Sequence, residues 1–211
     1  MGGKHRSAGA LFALAFCLVA AAKAAAQSIT PAAAVPSGDP GAQSVSEKIK
    51  LCESCHGPNG NSVTPLLPSI AEQPRTFLEN QLVYFREELR HAPVMQGIAK
   101  GMRDELINAL AKHFGAQKAT SVEKTPPEPA KMMRGAELAT KHHCGQCHKP
   151  RFEGQGQIAR LAGQREDYLL DAMKGYKAGT RSAADTTMTE VLGPLTEADL
   201  AVLAHFLSRY E

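Results

Sequence analysis

The chain has no tryptophan, and only 5% of its 211 residues are aromatic. A small helical unit with so few large apolar side chains buries too little surface to hold itself together, so any such unit here needs a staple. No segment alternates apolar and polar residues convincingly, which argues against strands and against an alternating α/β pattern. Lys and Arg number 24 against 21 Asp and Glu, and no basic run occurs. A nucleic-acid binder needs a concentrated basic face, so that class is disfavoured. The apolar stretch ALFALAFCLVAAA, Ala10 to Ala22, is too short to span a bilayer.

That stretch has a different meaning. Lys4, His5 and Arg6 precede it, and Ala24 to Ala26 offer small residues for cleavage before Gln27. This is the form of an export signal, expected to occupy residues 1–26. With it would go Lys4, Arg6 and Lys23, leaving 21 basic and 21 acidic residues. Residues 27–44 are rich in Ala, Pro, Gly and Ser and read as a flexible lead.

Cysteine is scarce and its placement is informative. Of five, Cys17 lies in the expected signal; the others are Cys52, Cys55, Cys144 and Cys147. Each pair forms a CxxCH frame, completed by His56 in LCESCHGPNG (Leu51 to Gly60) and by His148 in CGQCH. An exported chain with four cysteines ordinarily suggests disulfides. Here the histidines have to be explained as well.

The surrounding sequence repeats with them. PSIAEQPRTFLENQL (Pro68 to Leu82) pairs with ARLAGQREDYLLDAM (Ala159 to Met173), and MQGIAKGMRDELINALAKHF (Met95 to Phe114) with MTEVLGPLTEADLAVLAHFL (Met188 to Leu207). Met95 follows Cys52 by 43 residues and Met188 follows Cys144 by 44. Two copies of a unit of roughly 75 to 80 residues fit this better than one larger domain. Pro126, Pro127 and Pro129 mark a linker over residues 117–131, where they bar a helix. Each copy reads as helical. A closing helix carries Leu200, Leu203 and Phe206, with Thr196 as N-cap and Asp199 at its third position. Its counterpart carries Leu106, Leu110 and Phe114, with Gly115 as a stop. A middle helix carries Phe77, Gln81, Phe85 and Leu89 in one copy and Tyr168 to Tyr176 in the other.

Three chemistries use CxxC. A thioredoxin-like dithiol follows a strand in an α/β unit, and that pattern is missing. A closed zinc site joining the two pairs leaves the repeated histidines and methionines unexplained. In c-type haem attachment each thiol adds to a vinyl group, and the following histidine is the proximal iron ligand. The two-residue gap sets the sulfurs about one helical turn apart, as the porphyrin edge requires. Two covalently bound haem c groups are therefore expected, on Cys52 and Cys55 and on Cys144 and Cys147, and they are the missing staple. Met95 and Met188, at matched positions, are the expected second axial ligands; a thioether there raises the reduction potential. Met102, Met132, Met133 and Met173 have no counterpart in the other copy and read as core filler. His142 and His143 have none either and are set aside as ligands. His91, His113 and His205 read as surface or packing residues.

CESCHGPNGNSVTPLLPSIAEQ, with its later methionine, resembles class I cytochromes c. The duplication, RLAGQREDYL and YKAGTR resemble the dihaem cytochrome c4 family over nearly all of residues 45–211. The resemblance implies an all-α fold of two tandem class I cytochrome c domains, related by a pseudo-two-fold, with haem edges facing across the interface. It places the domains at 45–116 and 132–211. It implies a periplasmic electron carrier rather than an enzyme. The partners implied are redox proteins: a quinol-oxidising complex, a terminal oxidase or a dehydrogenase. No nucleic acid is involved, and peripheral association with the membrane is compatible. It also implies that a proline carbonyl accepts the proton of the proximal histidine's Nδ1, and Pro65 stands at the matching place in the first copy. The second copy has Gly156 and Gln157 there and leaves the acceptor open. GNSVTPLLPSIAEQ and MQGIAKG are also similar to the dihaem subunit of flavocytochrome c sulfide dehydrogenases, so a complex subunit is the alternative. A peroxidase or sensor needs a vacant iron site, and the two methionines speak against it.

Overall fold

Ser44 begins the first helix because its side chain accepts the Glu47 N–H while the Glu47 carboxylate accepts the Ser44 N–H. The computed structural model describes residues 44–181 and 186–210, so the expected signal, with Cys17, and the lead up to residue 43 lie outside the described residues. Helix α1 (Val45–His56) ends at Gly57, whose φ of 76° and ψ of 167° suit glycine. After a 3-10 turn (Pro58–Gly60) come α2 (Arg75–Arg86), α3 (Pro93–Ala99) and α4 (Asp104–Gly115). The second half follows with α5 (Pro129–Lys141), α6 (Cys144–His148), α7 (Glu166–Lys177), α8 (Thr187–Leu192) and α9 (Glu197–Ser208). Thr196 and Asp199 form the expected capping box on α9. Among the described residues the only β pairing is an isolated bridge between Gln155 and Ile158. None of their helices is long and apolar enough to cross a membrane.

The repeat seen in sequence is a repeat in hydrogen bonding. Ile70 and Ala71 donate to the Gly60 carbonyl; Leu161 and Ala162 donate to that of Phe152. Glu72 N–H reaches Phe114 O in one half, and Gly163 N–H reaches Leu207 O in the other, both at 3.0 Å. Each half has its own core. Leu78, Phe85, Ile107, Leu110 and Phe114 form the first. Leu138, Leu169, Leu192, Leu200, Leu203 and Phe206 form the second. The extensive helix packings all fall within one half: α2 on α4 and α3, and α9 on α5 and α7.

In the helices and their cores the structure departs from the sequence expectation at four places. Pro129 does not bar a helix but starts α5, where its missing N–H has no helical partner to lose. Gly115 is the last helical residue and not the stop beyond it; a Cβ there would lie 3.1 Å from Gln73 O. Leu89 lies past the end of α2 and is 56% exposed. Met133 is 68% exposed, whereas Met102 and Met173 are core residues as expected.

Residues between α4 and α5 are tied to both halves. Asn61 donates to Lys118 O and accepts from Thr120 N–H. Further on, Glu123 accepts from Glu166 N–H, and Arg209 binds Glu123 and the Thr125 hydroxyl. Glu128 N–H donates to Nε2 of His205, which is buried. The segment is a strap, not a loose tether.

Candidate haem sites

Both CxxCH frames lie on helical turns: the first closes α1, and the second is α6 itself. The break before α6 falls at His143, in the left-handed region with φ 55°. Helical winding sets Cys52 inward and Cys55 outward, with Cys144 and Cys147 alike, and all four thiols are free. His56 and His148 are each only 8% exposed. Burial pushes the Cys52 and Cys144 thiols above their ordinary value, the reverse of a reactive dithiol. Among the described residues no three His, Cys, Asp or Glu side chains gather as a metal site, so a closed zinc centre is not built.

The histidines are held alike. His56 Nδ1 lies 2.8 Å from Pro68 O, and His148 Nδ1 lies 2.7 Å from Ala159 O. A carbonyl can only accept, so Nδ1 carries the proton and Nε2 presents its lone pair. Burial lowers both imidazoles below their ordinary value, against the carbonyl bond that raises them, and so favours the neutral ligand form. The acceptor is not Pro65, which is exposed. The Gly60 carbonyl clasps Ile70 and Ala71, and this carries residue 68, two before the clasp, onto His56. In the second half the clasp of Leu161 and Ala162 by Phe152 carries Ala159 to His148 in the same way.

The candidate second ligands share their cores with the first cysteine of each frame. Cys52 and Met95 pack on the first cluster, and Cys144 and Met188 on the second. Met95 is carried by α3 and Met188 by α8. His142 and His143 cap the break between α5 and α6, with the His143 side chain exposed.

Two arginines, one from each half, meet at a tyrosine. Arg181 donates to the Tyr168 hydroxyl at 2.7 Å and Arg90 reaches it at 3.4 Å; Arg90 also binds Gln81. Burial alone would raise the Tyr168 hydroxyl, yet the two guanidinium groups pull it below its ordinary value. Arg181 Nε is buried without an acceptor among the described residues. A pair of half-buried cations facing a phenol and an amide suits a group that brings carboxylates, as haem does with its propionates. Two free thiols, a neutral imidazole and a packed thioether in each half complete a donor set that fits haem c.

An interface between the halves was expected, but none of the residues that make it. Gln164 accepts from Ser69 N–H at 2.8 Å and donates to Ser69 O at 2.7 Å. Gln73 accepts from Arg160 N–H at 2.9 Å and donates to Arg160 O at 3.0 Å. Both glutamines are 5% exposed. The available signal was that PSIAEQ and ARLAGQ end alike while their second residues differ.

The profile of the Cytochrome c family matches residues 132–210. Cytochrome c-554(548) of Halomonas halodenitrificans is 32% identical over 74 residues, 34% of this chain and 89% of that protein. Cytochrome c4 of Azotobacter vinelandii is 28% identical over 178 residues, covering 76% of this chain and 84% of its own. A thiosulfate dehydrogenase electron acceptor of Thiomonas intermedia is 28% identical over 167 residues, 74% of this chain and 77% of its own. The crystal structure of reduced cytochrome c4 from Pseudomonas stutzeri superposes with a TM-score of 0.71 at 23% identity, covering 81% of this chain and 100% of that one.

Proposed function

The chain belongs to the cytochrome c family, and on that premise we propose a periplasmic one-electron carrier with His56 and Met95 on one iron and His148 and Met188 on the other. Its cofactors are two covalently bound haem c groups, and it transfers single electrons between redox proteins. The observation that carries the ligand assignment is the matched pair of buried imidazoles, each with Nδ1 on a backbone carbonyl. Bound haem supplies an iron couple that takes up and releases one electron.

This chain's residues do the rest. Cys52, Cys55, Cys144 and Cys147 anchor the porphyrins. Pro68 O and Ala159 O fix each imidazole ring and raise its basicity as a ligand. Met95 and Met188 would complete the coordination with thioethers, which favour the reduced iron. With a histidine and a methionine of the chain both bound to each iron, no site would be left for substrate, which is the physical reason to read a carrier rather than a catalyst. The periplasmic reading rests on the export-type N-terminus and on covalent haem.

The test is spectroscopic. The oxidised protein is expected to show the far-red sulfur-to-iron band, and Met95→Ala or Met188→Ala each to remove about half of it and open one iron to carbon monoxide. A band unchanged by either substitution would reduce that methionine to a core residue. The second reading, a permanent subunit of a dehydrogenase, draws on the likeness to the Thiomonas electron acceptor. Gentle purification from the native host separates the two: a carrier elutes alone, a subunit with a stoichiometric partner.

A further inference from the structure

The glutamine clamps between the halves do more than join them. The Pro68 carbonyl and the Ser69 N–H belong to one peptide group. Its oxygen accepts from His56 Nδ1 at 2.8 Å, while its N–H donates to Gln164 Oε1 at 2.8 Å. The peptide between Ala159 and Arg160 is used identically: its oxygen takes His148 Nδ1 at 2.7 Å, and its N–H donates to Gln73 Oε1 at 2.9 Å. The amide orientations are set by their partners, since a backbone N–H can only donate and must face the oxygen.

We propose that Gln164 tunes the haem held by His56 and Gln73 the haem held by His148, each glutamine acting across the interface as a positioning residue for the other half's proximal ligand. Hydrogen bonds in a chain polarise one another, and burial makes this stronger. An acceptor on the N–H draws electron density toward the same peptide's oxygen. That oxygen then pulls harder on the Nδ1 proton, the imidazole becomes the more basic ligand, and the oxidised iron is favoured. Each half therefore holds the other's potential below the value it would have alone. Ser69 is 6% exposed and both glutamines 5%, so water is kept from the Gln164 clamp, while the Gln73 clamp, on the half-buried Arg160, is only partly shielded. The inference rests on His56 and His148 being the proximal ligands.

The test uses the full-length holoprotein, with the two haems resolved by redox titration and assigned by the NMR signals of their ligands. Gln164→Leu is expected to raise the reduced-to-oxidised ratio of the His56 haem at fixed potential by roughly threefold to tenfold (tenfold being about 59 mV for one electron). It should also move the His56 Nδ1–H resonance upfield, with the His148 haem unchanged. Gln73→Leu is expected to do the reverse. Gln164→Glu, which keeps an acceptor on Ser69 N–H, should leave the His56 haem at or below its wild-type potential. If the leucine variants fail to fold, Gln164→Asn and Gln73→Asn withdraw the amide by one methylene and are expected to move the same haems the same way. A shift confined to the haem of the glutamine's own half, an equal shift in both or no shift would overturn the proposal. So would a glutamate variant that behaves like leucine. If His56→Gly left the first haem's low-spin spectrum intact, the ligand reading would fall and the relay with it. If that spectrum is lost while Gln164→Leu moves nothing, the relay alone is wrong.

Discussion

Lys149 stands five residues after Cys144, where the first half has Gly57 five after Cys52. Its φ of 71° and ψ of 158° lie in a region almost reserved for glycine, at a cost of roughly 1–3 kcal/mol. Lys149→Gly is therefore expected to raise stability by about 1 kcal/mol after the extra freedom of the unfolded chain is deducted, read from denaturant unfolding of the holoprotein. Gly57→Ala is expected to act the opposite way and more strongly, because its Cβ would lie 2.0 Å from Asn61 O. At this scale the sequence was legible where side chains carry the chemistry. CxxCH and the matched methionines stand out by type and spacing, and the fold packs each methionine on the same core as the first cysteine of its half's frame. The acceptor of the histidine proton did not, because every residue owns a carbonyl and only the clasp at Gly60 decides which one arrives. Pro65 was the wrong residue for that reason.

The helices were legible where a cap and a face agree. On α9, Thr196 and Asp199 mark the start, and Leu200, Leu203 and Phe206 mark the buried side. Thr196→Ala is expected to lower stability by about 1 kcal/mol in the same unfolding experiment. Illegible was the crossing of α5 over α9, which turns on an absent side chain. A Cβ on Gly135 would lie 2.3 Å from Phe206 Cβ, so α5 approaches this closely only because nothing projects there. Gly135→Leu is expected to cost at least 1–3 kcal/mol by overpacking and to broaden the spectrum of the second haem more than the first. A glycine in a helical stretch signals no such contact in advance. Pro129 misled in a similar way: proline excludes a helix interior but not its first turn.

At the scale of the whole molecule the halves meet largely through loops, and loops carry no periodic signal to read. Besides the two glutamine clamps, Asp167 accepts from Leu66 N–H of the other half at 3.1 Å and pairs with Arg165. Burial would raise the Asp167 carboxyl, but the Arg165 guanidinium and the Leu66 and Tyr168 N–H groups outweigh it and hold the value below its ordinary 3.8. A depressed carboxyl stabilises the fold above its unfolded value and loses that contribution as pH falls through the lower, folded one. Acid below about pH 4 should therefore loosen the contact between the halves. Asp167→Asn should show much of that loosening already at neutral pH and little further change on acidification. Urea midpoints of both proteins at pH 7 and pH 3 measure this, and parallel curves would show that Asp167 contributes nothing there.

Each half owns both a glutamine that reaches across and a peptide that receives one, so its surface is complementary to a copy of itself. Such a contact is isologous, the kind that closes a two-fold homodimer. Carrying both surfaces on one chain fixes the stoichiometry at one to one, removes the dependence of pairing on concentration, and lets the two copies differ, as they do at Ser69 and Arg160.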